Sequence, residues 1–330
     1  MKNSTPEIFM PLVEIESSSR TNMRIYLMRN GEPCDRLTGA WSNKAFHDDV
    51  YRQIDLNQPA STVNRKSSNK RLQKADLFKY DAPLTMDRSK NNNNCFHIGS
   101  LSCKLVARAF YMRDLQIRKV FSAPALRCVQ SAAAMLAEMH MACSPTICVE
   151  PGLLDPLVFY WKEKMYLPNF MSIPNLIENG YNIDEDYKQV YQLEKLKKMN
   201  MEFKEEEPAE FYKRIAAVVS TILDQVKHED GIGNILIVCH APTIDAIVRH
   251  LLDRRDLPHI RYDLYRMGLN YRFSSLTVVE QSDEVDTEGN RSKWELNLDV
   301  IPPITYSHIS TMPTVPSFPK HNSHKISAKK

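Results

Sequence analysis

Short runs that are apolar at nearly every position, rather than at alternate ones, punctuate this chain. Ile25-Tyr26-Leu27-Met28, Val120-Phe121 and Ile235-Leu236-Ile237-Val238 are the clearest. Such runs are too short for helices that bury one stripe. Uniform apolarity is what a strand covered on both faces of a sheet requires. Strands are therefore expected at 24–29, 119–122, 146–149, 234–239 and 274–280. The stretch from Trp294 to Leu298 alternates instead, which suits an edge. Between the strands the period changes. After Ser122, a good N-cap residue type, with Pro124 in the first turn, Leu126, Val129, Ala133 and Leu136 recur at helical spacing. A second helix is expected from about Pro208, with Phe211, Ile215, Val218, Val219, Ile222 and Val226 on one face. A third begins at Pro242 and turns Ile244, Ile247, Val248, Leu251 and Leu252 inward. Strand and helix in alternation predict an α/β domain, a three-layer αβα sandwich with a mostly parallel sheet. Ligands of such domains lie at the carboxyl ends of the strands. Arg29, Asn30, Ser122 and His240 all fall at such ends.

Composition narrows the function classes. The 330 residues allow one large domain or two ordinary ones, and 43% hydrophobic with 25% charged residues is normal for a soluble globular chain. A formal charge of +3 is too small to argue for nucleic acid or a membrane surface, and the basic residues show no aromatic interleaving. Seven cysteines without a close pair fit reduced thiols in a cytosol better than a disulfide framework. No run approaches the ~18 apolar residues of a membrane span. The first residues lack the basic and apolar regions of a signal peptide, so a cytoplasmic location is expected. Residues 1–22 read as a loose polar arm and 309–330, rich in proline and serine, as a disordered tail. That leaves one ordered domain at 23–308, with Asn91 to Asn94 as a surface insertion.

Three segments carry candidate chemistry: Arg29-Asn30-Gly31-Glu32, Ser122-Ala123-Pro124-Ala125-Leu126-Arg127, and the strand ending in Cys239-His240. Together they resemble the histidine phosphatase superfamily, the phosphoglycerate-mutase-like enzymes, whose first motif reads Arg-His-Gly. In that motif the histidine attacks phosphorus; here Asn30 stands in its place. Glu150-Pro151-Gly152-Leu153-Leu154-Asp155 is similar to the family's Glu-Pro-Gly-x-x-Glu and puts Asp155 at the general-acid position. Asp81-Ala82-Pro83-Leu84-Thr85 resembles the family's Asp-Pro-Pro-Leu-Thr. Asn182 to Tyr187 and Lys293 to Leu296 look like the phosphatase domain of the suppressors of T-cell receptor signalling, a protein-tyrosine phosphatase branch. The resemblance spans 23–308 and implies a phosphoglycerate-mutase-like fold with a phosphate site made of Arg29, Arg127, His240 and Asn30. It implies no cofactor and no metal. The implied ligand is a phosphorylated protein or a small phosphomonoester, and the implied assembly is a homodimer or a pairing with an active paralogue. The arginine that follows Arg-His-Gly-Glu in that branch is Pro33 here, and Arg36 is the candidate to replace it.

The residue chemistry agrees with a phosphate site. Phosphoryl transfer needs cations around the equatorial oxygens, an in-line nucleophile and an acid for the leaving oxygen. Arg29 and Arg127 can each offer a planar fork of donors, and a helix following Ser122 would point free amides at the same anion. Asn30 cannot be the nucleophile, because the lone pair of a carboxamide nitrogen is delocalised and forms no ready phosphoramidate. Without a covalent nucleophile the two-step route is closed. The sequence therefore reads as a pseudophosphatase. Two alternatives stay open: a phosphatase using another nucleophile, such as water activated by His240 or Asp155, and a scaffold whose pocket is no longer used. A cysteine-dependent phosphatase does not fit, since the sixth residue after Cys239 is Asp245 rather than arginine. His47, Asp48 and Asp49 lack a partner pair at metal-ligand spacing.

Overall fold

The computed structural model describes residues 22–35, 46–47, 50–51, 81–85, 98–139, 141, 144–160, 167–202, 206–228, 233–282 and 293–301. Nearly all of the expected arm at 1–22, the tail at 309–330, the Asn91–Asn94 insertion and Arg36 lie outside the described residues. Six strands form one mixed sheet: β1 (Arg24–Arg29), β2 (Lys119–Ser122), β3 (Ile147–Val149), β4 (Ile235–Cys239), β5 (Leu276–Gln281) and β6 (Trp294–Leu296). Their order is β3-β2-β4-β1-β5-β6. The first four are mutually parallel, whereas β5 and β6 join antiparallel. A small antiparallel ribbon pairs Phe46–His47 with Val50–Tyr51.

Seven α-helices are present among the described residues: α1 (Ile98–Met112), α2 (Leu126–Glu138), α3 (Ile173–Glu178), α4 (Leu193–Glu202), α5 (Pro208–His228), α6 (Ala241–Leu251) and α7 (Arg261–Asn270). The direction of travel along the sheet assigns them to layers. From β1 to β2 to β3 the chain steps one way, and right-handed crossovers put α1 and α2 on one face, where they pack together. The step from β3 back to β4 runs the other way and carries α5 to the opposite face, against α6, which in turn packs on α7. Both faces of the central strands are thereby covered. All five residues of β4 and Ile25 to Met28 of β1 are buried, which is why their sequences need no alternation. Each such side chain removed from water contributes about 1.5–3 kcal/mol before entropy is charged against it. The edge strand β6, by contrast, leaves Leu296 partly exposed. No helix among the described residues is long and apolar enough to cross a membrane.

The strand register levels the carboxyl ends where ligands were expected. Arg29 pairs with Cys239 and Ser122 with Val238, so Asn30 and His240 leave the sheet side by side, with Ala123 one residue short of them. Backbone hydrogen bonds continue past the ladder, from Asn30 N–H to the Cys239 carbonyl at 2.9 Å and from Ala123 N–H to the Val238 carbonyl at 3.0 Å. One helix start differs from expectation. The helix begins at Leu126, Pro124 precedes it, and the Ser122 hydroxyl donates to the Ala123 carbonyl rather than capping. The cap comes from far away: Asp81 Oδ1 accepts from the Leu126 N–H at 2.9 Å.

Candidate active site

Arg127 is set on the first turn of α2, and three groups converge on its guanidinium. Its Nη2 lies 3.4 Å from Asp155 Oδ2 and 3.4 Å from His240 Nδ1, while Nη1 lies 3.9 Å from Asp81 Oδ1. Asp155 Oδ2 is also 3.3 Å from His240 Nδ1. The three expected residues Arg127, Asp155 and His240 therefore meet in one place, and Asp81 joins them. His240 is buried, and burial, helped by the fields of Arg127 and Arg29, pushes its pKa well below the usual histidine range. Its contact with Asp155 is then one of a neutral imidazole. Nδ1 can donate to Asp155 or accept from Arg127, but one tautomer cannot do both. Asp81 is fully buried, and burial raises its carboxyl to about 7 against the opposing pull of Arg127 and the Leu126 N–H.

Asn30 ends β1 beside His240's strand and is 2% exposed. Its carboxamide nitrogen donates to the Gly31 carbonyl at 2.8 Å, a local bond that holds the side chain against its own backbone. Arg29 is oriented differently from the expected phosphate fork. Its Nη1 donates to the carbonyls of Gly268, at 3.1 Å, and Tyr271, and its guanidinium stacks 3.8 Å from the Phe273 ring centre. Those carbonyls close the C-terminal end of α7, where unsatisfied carbonyls favour a cation. Part of Arg29's hydrogen-bonding capacity thus anchors a helix. Its field still reaches His240.

Asp155 owes its place to a buried brace. The Glu150 carboxylate, on the turn after β3, accepts from Gly152 N–H (2.7 Å), Val190 N–H (2.7 Å), Tyr191 N–H (3.0 Å) and the Tyr187 hydroxyl (2.9 Å). Arg214 of α5 then donates to the carbonyls of Gly152 (2.7 Å), Leu154 (3.1 Å) and Asp155 (3.3 Å). Glu206 holds Arg214 at 2.7 Å and 2.9 Å and also accepts from Leu157 N–H at 2.8 Å. Residues 150–157 are fastened at nearly every polar backbone position. Glu150 is a structural turn residue, as its place in the motif suggests. Glu206 is not: a glutamate in the run Glu205-Glu206-Glu207 reads as a solvated helix start, yet it is buried and ion-paired.

Sequence reasoning missed three more neighbours of the site. Cys128 Sγ lies 3.6 Å from His240 Nε2, but burial pushes this thiol far up and leaves it inert. Tyr160, on the short 3-10 turn Leu157–Tyr160, stands beside Arg127. Asp81 had been read only as part of a matching stretch. No local signal marks it as a cap, because the amide it accepts from lies 45 residues downstream.

Comparison with known proteins assigns the family and fold. A model of the histidine phosphatase superfamily (branch 1) matches residues 178–285, which include His240. Ubiquitin-associated and SH3 domain-containing protein A from Homo sapiens is 30% identical over 92% of this chain and 41% of its own length. The chain belongs to the histidine phosphatase superfamily. Ecdysteroid-phosphate phosphatase from Drosophila melanogaster is 28% identical over 89% of this chain and 34% of that protein. The chain therefore spans about a third to two-fifths of the length of these curated relatives. Among solved structures, the ecdysone phosphate phosphatase from Bombix mori in complex with tungstate covers 86% of this chain and 95% of its own. Its TM-score is 0.62 at 25% identity. The phosphoglycerate-mutase-like architecture expected for the family is the one described above.

Proposed function

We propose that this member of the histidine phosphatase superfamily binds a phosphomonoester, such as phosphotyrosine or another organic monophosphate, and does not turn it over efficiently. The observation that carries the reading is Asn30. It occupies the position that the family motif gives to the nucleophilic histidine, buried and hydrogen-bonded to Gly31, in a site that keeps Arg127, His240 and a carboxylate. Binding is supported because Arg127 is a largely enclosed but accessible cation beside a neutral His240 that can donate to an oxygen. Turnover is disfavoured because nothing at position 30 can carry the phosphoryl group. The half-buried ring of Phe273 against Arg29 favours an ester of an aromatic or apolar alcohol. The names of the two insect relatives, phosphatases of a steroid phosphate, point the same way. Five free, buried cysteines among the described residues suit a reducing, cytoplasmic setting.

The test is calorimetric titration with tungstate and with an aryl phosphate at low salt. Arg127→Ala should weaken anion binding by about 1.5–3 kcal/mol, the worth of charge-assisted hydrogen bonds. Equal affinities in wild type and variant would remove the reading. A second reading, slow hydrolysis by water activated at His240 or Asp155, is favoured by the neutral state of His240. It predicts aryl phosphate turnover that disappears in Arg127→Ala. A chain that binds no anion at all would instead favour a scaffold, pairing with itself or with an active paralogue.

A further inference from the structure

The hydroxyl of Tyr160 is buried and makes no hydrogen bond. It stands next to the Arg127 guanidinium, which can only donate toward the phenol oxygen, and within the field of Asp155 and Asp81, and its own proton meets no acceptor. Its position is not accidental. Leu157–Tyr160 forms a 3-10 turn directly after Asp155, and the Glu206 carboxylate pins the first residue of that turn through Leu157 N–H at 2.8 Å. At the other end the Tyr160 ring packs edge-on to Phe170, with centroids 6.4 Å apart. The phenol is thus carried on the acid-bearing segment, braced on both sides, with its polar end directed at the cation. Leaving a donor buried and unpaired costs about 1–3 kcal/mol, a cost tolerated where a ligand supplies the partner.

We propose that Tyr160 is a further ligand-contacting residue, whose hydroxyl donates a hydrogen bond to an oxygen of the phosphoryl group held by Arg127. The inference rests on the phosphate-binding reading above and adds to it a neutral donor that the family motifs do not include. Burial and the neighbouring carboxylates keep the phenol protonated throughout the neutral range, so it remains a donor. Together Arg127 and Tyr160 approach the anion from α2 and from the acid segment.

Two measurements on Tyr160→Phe test this, with tungstate as the probe and wild type and Arg127→Ala alongside. Tungstate affinity should fall about tenfold in Tyr160→Phe, as expected for one hydrogen bond to a charged group. The urea midpoint without ligand should change little, because the lost hydroxyl proton had no acceptor in the folded chain. If wild type binds tungstate, Arg127→Ala loses it and Tyr160→Phe binds as tightly as wild type, the Tyr160 assignment is overturned while the phosphate site stands. A clear drop in the ligand-free midpoint would show that the hydroxyl is already satisfied, by an ordered water for example, and would also overturn it. Absence of tungstate binding in wild type overturns both readings.

Discussion

Asparagine and histidine are close in size, but only the imidazole can attack phosphorus. At position 30 the difference is confined to that chemistry, since the backbone bonds from Asn30 to Cys239 and from Ser274 to Asn30 do not depend on the side chain. Asn30→His should therefore fold and should form an acid-labile phosphoenzyme when given an aryl phosphate, a species wild type should not form. Recovery of turnover should be partial, because Asp155 is one methylene shorter than the family's glutamate and Pro33 replaces an arginine. A folded variant that neither labels nor turns over would mean that the pocket has changed beyond one residue. Asp81 offers a second single-residue test. In the unfolded chain its carboxyl titrates near 3.8, and in the folded chain near 7. Across that window the native state holds a proton that the unfolded state releases, so Asp81's contribution is full below about pH 4 and is lost as pH rises to 7. Asp81→Asn keeps the oxygen that caps Leu126 and removes the titration. Urea midpoints between pH 4.5 and 7.5 should fall less steeply with pH in the variant. Parallel slopes would show that Asp81 does not titrate in this range.

Among the elements, the segment 150–157 is held more firmly than any loop expectation would suggest. Arg214 and Glu206 are 3% and 5% exposed, and between them they bind three carbonyls and one amide of that segment. Removing one partner of a buried ion pair leaves the other charge without compensation. Arg214→Ala should lower unfolding free energy by about 3–5 kcal/mol, whereas a paired apolar replacement of Arg214 and Glu206 should cost much less. Chemical denaturation of the three proteins decides this; equal losses would mean that the carbonyl contacts, not the charge, carry the energy. A second junction is steric. A Cβ on Gly31 would come within 2.4 Å of the Gly99 carbonyl, and one on Gly99 within 2.4 Å of the Glu32 carbonyl. The turn after β1 thus crosses the first turn of α1 backbone to backbone, and glycine is needed on both sides.

For the molecule as a whole, the site joins both helix layers through the sheet. Arg127 comes from α2 on one face, His240 precedes α6 on the other, and Asp155 hangs from a segment braced by α5. An anion bridging Arg127 and His240 ties these layers in the native state only. Tungstate at about a hundred times its Kd should then raise global stability by about 2.7 kcal/mol. A thermal midpoint that climbs with tungstate in wild type, and stays fixed in Arg127→Ala, is the expected result. An equal climb in both would place the anion elsewhere.

Hydrophobic pattern alone determined the central strands and three of the four helices that cover them, all but α1, because burial on both faces of a sheet, or on one stripe of a helix, leaves a local periodic signature. It also placed Arg29, Asn30 and His240 at the carboxyl ends of strands, and the Arg-Asn-Gly-Glu run put an asparagine where the family motif has its histidine. Only the tertiary structure decided the rest. Ser122 looks like a cap in sequence, yet Asp81, 45 residues upstream of Leu126, takes the role. Glu206 sits in an acidic run and reads as solvated until Arg214 buries it. Helix α7 buries only Leu264 and Met267 and so leaves almost no stripe to read. Yet its carboxyl end takes up part of Arg29, one of the two arginines expected to hold phosphate. Caps, buried ion pairs and the partners of a cation are set by which segments meet in space, and nothing local in the chain encodes that meeting.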